Sequence, residues 1–172
     1  NLSHSFRDAT PPWPTRWLVL GPASPFWDGA SPTGEVLPLA EVRLLPPCEP
    51  RTIVCVGLNY KDHADDASTA AFPVLFPKYP STLIGPADDI ILPPESTQVD
   101  FEGELAVIIG KAGRRIAEQD AMDHVLGYCV SNDVTMRDYQ SKSHQWLQGK
   151  VWDNTTPIGP YIVTPAEADI SK

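Results

Sequence analysis

The segment Asp100-Phe101-Glu102-Gly103-Glu104-Leu105 runs straight into Ala106-Val107-Ile108-Ile109 and is closed by Gly110. A short run rich in branched aliphatic residues and ended by glycine reads as a strand. Side chains alternate between faces along a strand, so Glu102 and Glu104 point the same way, side by side at one end of a buried element. Two carboxylates held together in a partly dry place repel each other and resist ionising. A hard divalent cation removes that conflict, and Asp133, at the end of the apolar run Tyr128-Cys129-Val130-Ser131, offers a third oxygen ligand. Three carboxylates leave room in an octahedral shell for water and two substrate oxygens. That pattern suits magnesium or manganese, is compatible with calcium, and does not suit zinc, which prefers His or Cys. The competing interpretation is a pair of glutamates on a solvated strand face.

Bulk properties bound the rest. A chain of 172 residues fits one domain with a real core. With 42% hydrophobic and 20% charged residues, disorder is not indicated. A net charge of −9 argues against nucleic acid or an anionic membrane surface as the main partner. It leaves room for an anionic substrate, because a bound cation reverses the local field. No apolar run approaches the length of a membrane span, and no signal-peptide pattern opens the chain. A start at Asn1 rather than Met suggests processing or a partial sequence. Cys48, Cys55 and Cys129 are few, odd in number and unpaired in spacing, which reads as an intracellular, cytoplasmic protein, with a mitochondrial location as the alternative. Cys55 and Cys129 sit in apolar runs and read as core.

Residues 1–50 hold ten of the nineteen prolines, so a small irregular N-terminal region is expected there, with at most short strands such as Trp17-Leu18-Val19-Leu20. Residues 51–172 read as a second, larger region. Thr52 to Gly57 reads as a buried strand, Asn59 to Ala67 as a turn and short helix, and Phe72 to Pro80 as an extended loop. Asp89 to Leu92 is a short strand stopped by Pro93-Pro94, and Val99 to Ile109 is the carboxylate-bearing strand. Ala117 to Val125 is helical, with Glu118 and Asp120 in its first turn and Gly127 as its end. Tyr128 to Ser131 and Pro157 to Val163 are strands, and Arg137 to Gln148 is a loop or short helix. Strands outnumber helices without βαβ spacing, so the fold class is α+β and β-rich.

Several short pieces, in order, resemble the fumarylacetoacetate hydrolase family. They are Val56-Gly57-Leu58-Asn59-Tyr60, His63-Ala64, Phe76-Pro77-Lys78, Gly85-Pro86, Phe101 to Lys111, Gly127-Tyr128, Asn132-Asp133-Val134, Arg137-Asp138 with Gln140, Gln148-Gly149-Lys150 and Pro157-Ile158-Gly159-Pro160. The likeness covers roughly Leu45 to Thr164, the N-terminal and central part of that family's catalytic domain. It implies a mixed β-roll or barrel with the active site at its mouth, a homodimer, and a magnesium or manganese ion on Glu102, Glu104 and Asp133. Family members continue beyond the position of Lys172 with further strands and a Gly-Thr-Pro turn, so a C-terminally incomplete domain is expected.

The resemblance also assigns roles. His63 stands where the family carries a catalytic histidine, with Asp66 in place of the usual glutamate three residues on. The pair would activate a water or take a proton from a substrate carbon. Asp66 is one methylene shorter than the family's residue. Arg137, Gln140 and Tyr60 fall at substrate contacts, and an arginine there could clamp a carboxylate. Its bland alternative is a salt bridge to Asp138 or to a ligand carboxylate. Lys150 matches an active-site lysine that stabilises developing negative charge, against the alternative of a surface lysine. His144 and Trp146 read as ordinary loop residues.

A small 2-oxo or 1,3-dicarbonyl acid would chelate the cation and form an enolate on it. Acylpyruvate-type C–C bond hydrolysis, oxaloacetate decarboxylation or tautomerisation, and 2-hydroxymuconate-type isomerisation share that scheme. His63 with its acidic partner tilts the reading towards hydrolysis. Two readings of another class stay open: an inactive or partner-completed binding subunit, and a metal-stabilised structural domain without turnover.

Overall fold

A computed structural model describes residues 16–20, 32–60, 72–168 and 170. The described residues fall into two compact units, one up to Arg43 and one from Leu44 onward. In the first, β1 (Arg16–Leu20) pairs antiparallel with β2 (Pro32–Pro38), Trp17 facing Leu37, and a 3-10 turn follows at Leu39–Glu41.

The second unit opens with β3 (Ile53–Gly57), antiparallel to β4 (Val74–Lys78) with Cys55 opposite Phe76. A 3-10 turn at Pro80–Thr82 leads into β5 (Leu83–Ile84). Then come β6 (Val99–Asp100), β7 (Gly103–Ile109), a 3-10 helix at Glu118–His124, β8 (Val125–Asn132) and β9 (Thr135–Met136). Two single-turn helices, α1 (Arg137–Gln140) and α2 (Leu147–Lys150), precede β10 (Thr156–Val163). The principal sheet has the order β5-β10-β8-β7. Within it β5 runs parallel to β10, and the other two pairings are antiparallel. A small β6–β9 ladder holds Asp100 opposite Thr135. The fold is the expected strand-rich α+β class, and the described sheets do not close into a barrel.

Phe76, Ile84, Tyr128, Cys129, Val134, Met136 and Ile158 form the core. The long strands are less buried than their composition suggests. On β7, Glu104, Ala106 and Ile108 are half-buried, whereas Leu105, Val107 and Ile109 are exposed. No helix among the described residues is long and apolar enough to cross a membrane.

Local expectations fail in four places. The stretch 72–80 is not a loop: β4 runs through Pro77, which sits opposite Val54 in a two-stranded ladder, where an edge strand tolerates a missing donor. Asp89 to Leu92 forms no strand. Ile91 and Leu92 are exposed, and the following Pro93-Pro94 denies them a continuing ladder. The strand expected over Val99 to Ile109 breaks at Phe101-Glu102 into β6 and β7, which pair with different partners. Gly127 is not a helix end but lies inside β8, where an added Cβ would come within 2.3 Å of the Val163 carbonyl oxygen. The short helix expected within Asn59 to Ala67 falls mostly outside the described residues, as do His63 and Asp66.

Candidate active site

The β7–β8 register sets the site. Gly103 faces Asn132, and the pairing continues one step further through a bond from the Asp133 amide to the Glu102 carbonyl at 2.8 Å. The Asn132 side-chain oxygen accepts the Glu102 amide at 3.0 Å. The Asn-Asp pair thus divides its work: Asn132 pins the backbone before β7, and Asp133 delivers a carboxylate beside Glu102. The expected alternation holds, since Glu102 and Glu104 are half-buried between exposed Phe101, Gly103 and Leu105.

Two lysines meet these acids. Lys150 ends α2, and its side chain is 2% exposed; Nζ lies 2.6 Å from Glu102 Oε2 and 2.8 Å from Asp133 Oδ2. Phe76 lies against the same ammonium, its ring centroid 5.3 Å away, and Trp146 packs edge-on onto Phe76 at 5.5 Å. The packing of α2 depends on Gly149, because an added Cβ would stand 2.8 Å from the Gln140 backbone nitrogen. Lys78, at the end of β4, is equally buried. Its Nζ bonds Asp133 Oδ1 at 2.7 Å and also donates to the Lys150 carbonyl. Asp133 therefore has an ammonium on each oxygen, so its burial leaves neither oxygen without a charged partner.

Arg137 opens α1 at the exposed rim. It reaches Glu102 Oε1 at 2.6 Å and Asp100 Oδ2 at 2.8 Å, and it donates to Gln140 Oε1 at 3.0 Å. The salt bridge weighed from sequence is present, to Glu102, one of the expected ligands, and to Asp100 rather than to Asp138, which accepts from Ser96 Oγ at 2.6 Å. The hydrogen bond from Arg137 holds the Asp100 carboxyl below its usual range. Burial works to lower the Arg137 pKa, but the bonds from Asp100 and Glu102 outweigh it and keep the guanidinium charged above its ordinary value.

Glu104 is different. Among the described residues it has no ion pair, and Tyr60 is its hydrogen-bond neighbour. The Tyr60 hydroxyl also accepts the Leu105 amide at 3.3 Å, fixing it at the edge of β7. Burial pushes the Glu104 carboxyl up, against the bond to Tyr60, with the charges of Glu102 and Asp133 adding and Lys150 opposing. The structure thus brings together Glu102, Glu104, Asp133, Lys150, Arg137, Gln140 and Tyr60. Sequence reasoning missed Lys78 and Asp100 as members. Lys78 was within reach, because Phe76 and Lys78 share a strand face once 74–78 is read as extended.

No group of three or more His, Cys, Asp or Glu among the described residues is arranged to hold a metal ion. Lys150 bridges the carboxylates of Glu102 and Asp133. The donor chemistry nevertheless fits a hard cation, since each oxygen of Glu102 and Asp133 keeps lone-pair capacity beyond its bond to Lys78, Lys150 or Arg137, and Glu104 has no ion pair among the described residues. A shallow cavity of about 230 Å³ near Phe101, Gly103, Ser131, Asn132 and Ile158 is lined by none of these charged groups.

Residues 52–171 match the family described as fumarylacetoacetate (FAA) hydrolase, C-terminal. The chain belongs to the fumarylacetoacetate hydrolase family. Residues 18–47 match a second family, described as Rv2993c-like, N-terminal. The human protein named oxaloacetate tautomerase FAHD2A, mitochondrial, is 46% identical over 134 residues, covering 75% of this chain and 43% of its own length. The chain thus spans less than half the length of such curated relatives. The crystal structure of 2-hydroxyhepta-2,4-diene-1,7-dioate isomerase from Mycobacterium marinum superposes with a TM-score of 0.76 at 39% identity, covering 90% of this chain and 56% of that one. The structure of a fumarylacetoacetate hydrolase from Exiguobacterium antarcticum gives 0.69 at 45% identity, covering 78% and 50%. These relatives are named for a tautomerase, an isomerase and a hydrolase.

Proposed function

We propose that this family member carries the site of an enzyme that interconverts enol and keto forms of small 2-oxo acids, oxaloacetate being the first to try. The observation that carries this is Glu104, a carboxyl with a raised pKa and no ion pair among the described residues, set beside two buried lysines. Tautomerisation needs a group that takes and returns a proton near a fixed positive field. With no cation on it, Glu104 can hold and move that proton. Lys150 supplies the positive field, Lys78 fixes Asp133 and the Lys150 backbone, and Arg137 is the cation at the exposed rim that an incoming carboxylate meets first. The tautomerase and isomerase names among the relatives support the same reading.

Glu102, Glu104 and Asp133 are the residues that would hold magnesium or manganese. Such a cation, when bound, supplies Lewis acidity and charge for an enolate oxygen. A small 2-oxo or diketo acid as ligand and a homodimer as assembly belong to the proposal. So does location: the human relative is named as mitochondrial, and that compartment stands beside the cytoplasm.

C–C bond hydrolysis is the second reading, favoured by the 45% identity to the Exiguobacterium antarcticum hydrolase. It calls on His63 and Asp66, which lie outside the described residues. The test is decay of oxaloacetate enol absorbance by the 172-residue protein, with manganese or with a chelator, alongside carbon dioxide release. Faster enol decay without carbon dioxide, lost in Glu104→Gln, is the expected result. Carbon dioxide release would move the assignment to a decarboxylase, and cleavage of an acylpyruvate alone would move it to a hydrolase. No acceleration with any of these substrates would sink it.

A further inference from the structure

Four threonines in the second unit are almost fully buried: Thr82, Thr135 and Thr155 at 0% exposure and Thr156 at 2%. Three of them place the hydroxyl proton on a backbone carbonyl. Thr82 donates to Tyr79 at 2.8 Å, Thr135 to Asp133 at 2.8 Å and Thr155 to Trp152 at 2.6 Å. Thr156 Oγ1 has no partner, and it is alone in this among the buried side-chain polar atoms of the described residues. A buried hydroxyl left unbonded is costly, so each instance asks for a ligand, a water or a reason.

The sheet says where this hydroxyl lies. On the β10–β8 ladder Gly159 faces Val130 and Ile158 faces Ser131. Continuing that register two antiparallel steps past the last paired residues brings Thr156 level with Asp133, which follows the end of β8. On the other side of β8, the amide of Asp133 bonds the carbonyl of Glu102. Opposed residues on neighbouring strands present their side chains to one face. Glu102 and Asp133 thus lie side by side with the lysine ammonium groups on their carboxylates, and the same register carries Thr156 to the level of Asp133 on the next strand. Thr156 Oγ1 bonds neither carboxylate.

We infer that Thr156 is a further ligand-contacting residue of this site, its hydroxyl bonding an oxygen that bridges it to Asp133. The oxygen is either a water of the divalent cation or an oxygen of the 2-oxo acid. The inference rests on the functional reading above and names a residue which that reading does not use.

The test compares Thr156→Val and Thr156→Ser in the 172-residue protein by calorimetric titration with manganese, then with oxalate in the presence of manganese, and by thermal melting without either. Valine is nearly isosteric and replaces a hydroxyl that has no partner, so its melting temperature without ligand should equal or exceed that of the parent. Its binding should weaken about three- to tenfold, the worth of one hydrogen bond, and serine should restore it. Weakening with manganese alone identifies the oxygen as water; weakening only with oxalate identifies it as the substrate's. Unchanged binding in Thr156→Val overturns the assignment. So does a lower melting temperature with unchanged binding, which would mark a structural water. If the parent protein binds neither manganese nor oxalate, the functional reading itself falls and takes this assignment with it.

Discussion

Lys78→Met removes one charge from a buried four-membered network while nearly preserving side-chain volume. Lys78 and Asp133 have side chains 2% and 6% exposed, and their 2.7 Å contact is one of two ion pairs holding Asp133. Removing one partner of a buried pair costs about 3–5 kcal/mol, because the other charge is left without compensation. Lys150 still covers the second oxygen of Asp133, so the lower end applies. The bond to the Lys150 carbonyl is lost as well, which keeps the cost from falling further. About 3 kcal/mol in a chain of this size lowers the melting temperature by roughly 6–12 °C. Circular dichroism melts of the parent, Lys78→Met, Asp133→Asn and the double variant measure this directly. The double variant should lose clearly less than the sum of the two single losses, since it buries no orphaned charge. A Lys78→Met protein that melts within about 2 °C of the parent, or strict additivity in the cycle, would refute the idea that Lys78 secures Asp133.

Three more outcomes are expected. Glu104 has a folded pKa raised above its ordinary value of 4.5, so its contribution to stability is fully present below that value and is lost as pH rises through the folded pKa. Glu104→Gln should therefore melt higher than the parent at neutral pH, with the advantage shrinking in acid; urea titrations at several pH values check it. Manganese at about a hundredfold over its dissociation constant should add roughly 2.7 kcal/mol to the parent and nothing to Asp133→Asn, as read by thermal shift. Burial pushes the Cys55 thiol up to about 12 and Cys129 up to about 11, so native protein should react slowly with a thiol reagent at neutral pH and all three cysteines should react in urea.

The carboxylates were legible because period-two alternation is a property of the chain itself. Glu102 and Glu104 share a face wherever an extended segment passes through them, and Glu102 falls just outside β7 without losing that parity. Lys150 was legible only through resemblance, since nothing in Gln148-Gly149-Lys150 says that a one-turn helix will turn its last side chain inward. Lys78 was hidden by proline. Pro77 reads as a loop residue, yet on a two-stranded ladder its missing donor can face away from the partner, and the strand survives. Asp89 to Leu92 erred in the opposite direction: the apolar composition is there, but a strand exists only where a neighbour accepts its hydrogen bonds, and composition does not report neighbours.

The same geometry explains why so many charges can be buried in so short a chain. The ammonium of Lys78 meets Asp133 across 55 positions and the Lys150 carbonyl across 72, and Lys150 meets Glu102 across 48. No local segment contains a complete pair except Lys150 with Asp133, 17 residues apart. Each charge taken alone into this environment would cost several kcal/mol. The β3–β4 hairpin, the start of β7, the end of β8 and α2 therefore gain from docking only when all four arrive together, which makes the cluster a cooperative unit. Three cations, Lys78, Lys150 and Arg137, then stand against four acids, Asp100, Glu102, Asp133 and Glu104. The unmatched acid is Glu104, and an unmatched acid in a half-buried place either keeps its proton or recruits a cation. Either option serves enolisation of a 2-oxo acid, one as a proton carrier and the other as a charge for the enolate, so the imbalance that costs the fold stability is the property on which the proposed activity depends.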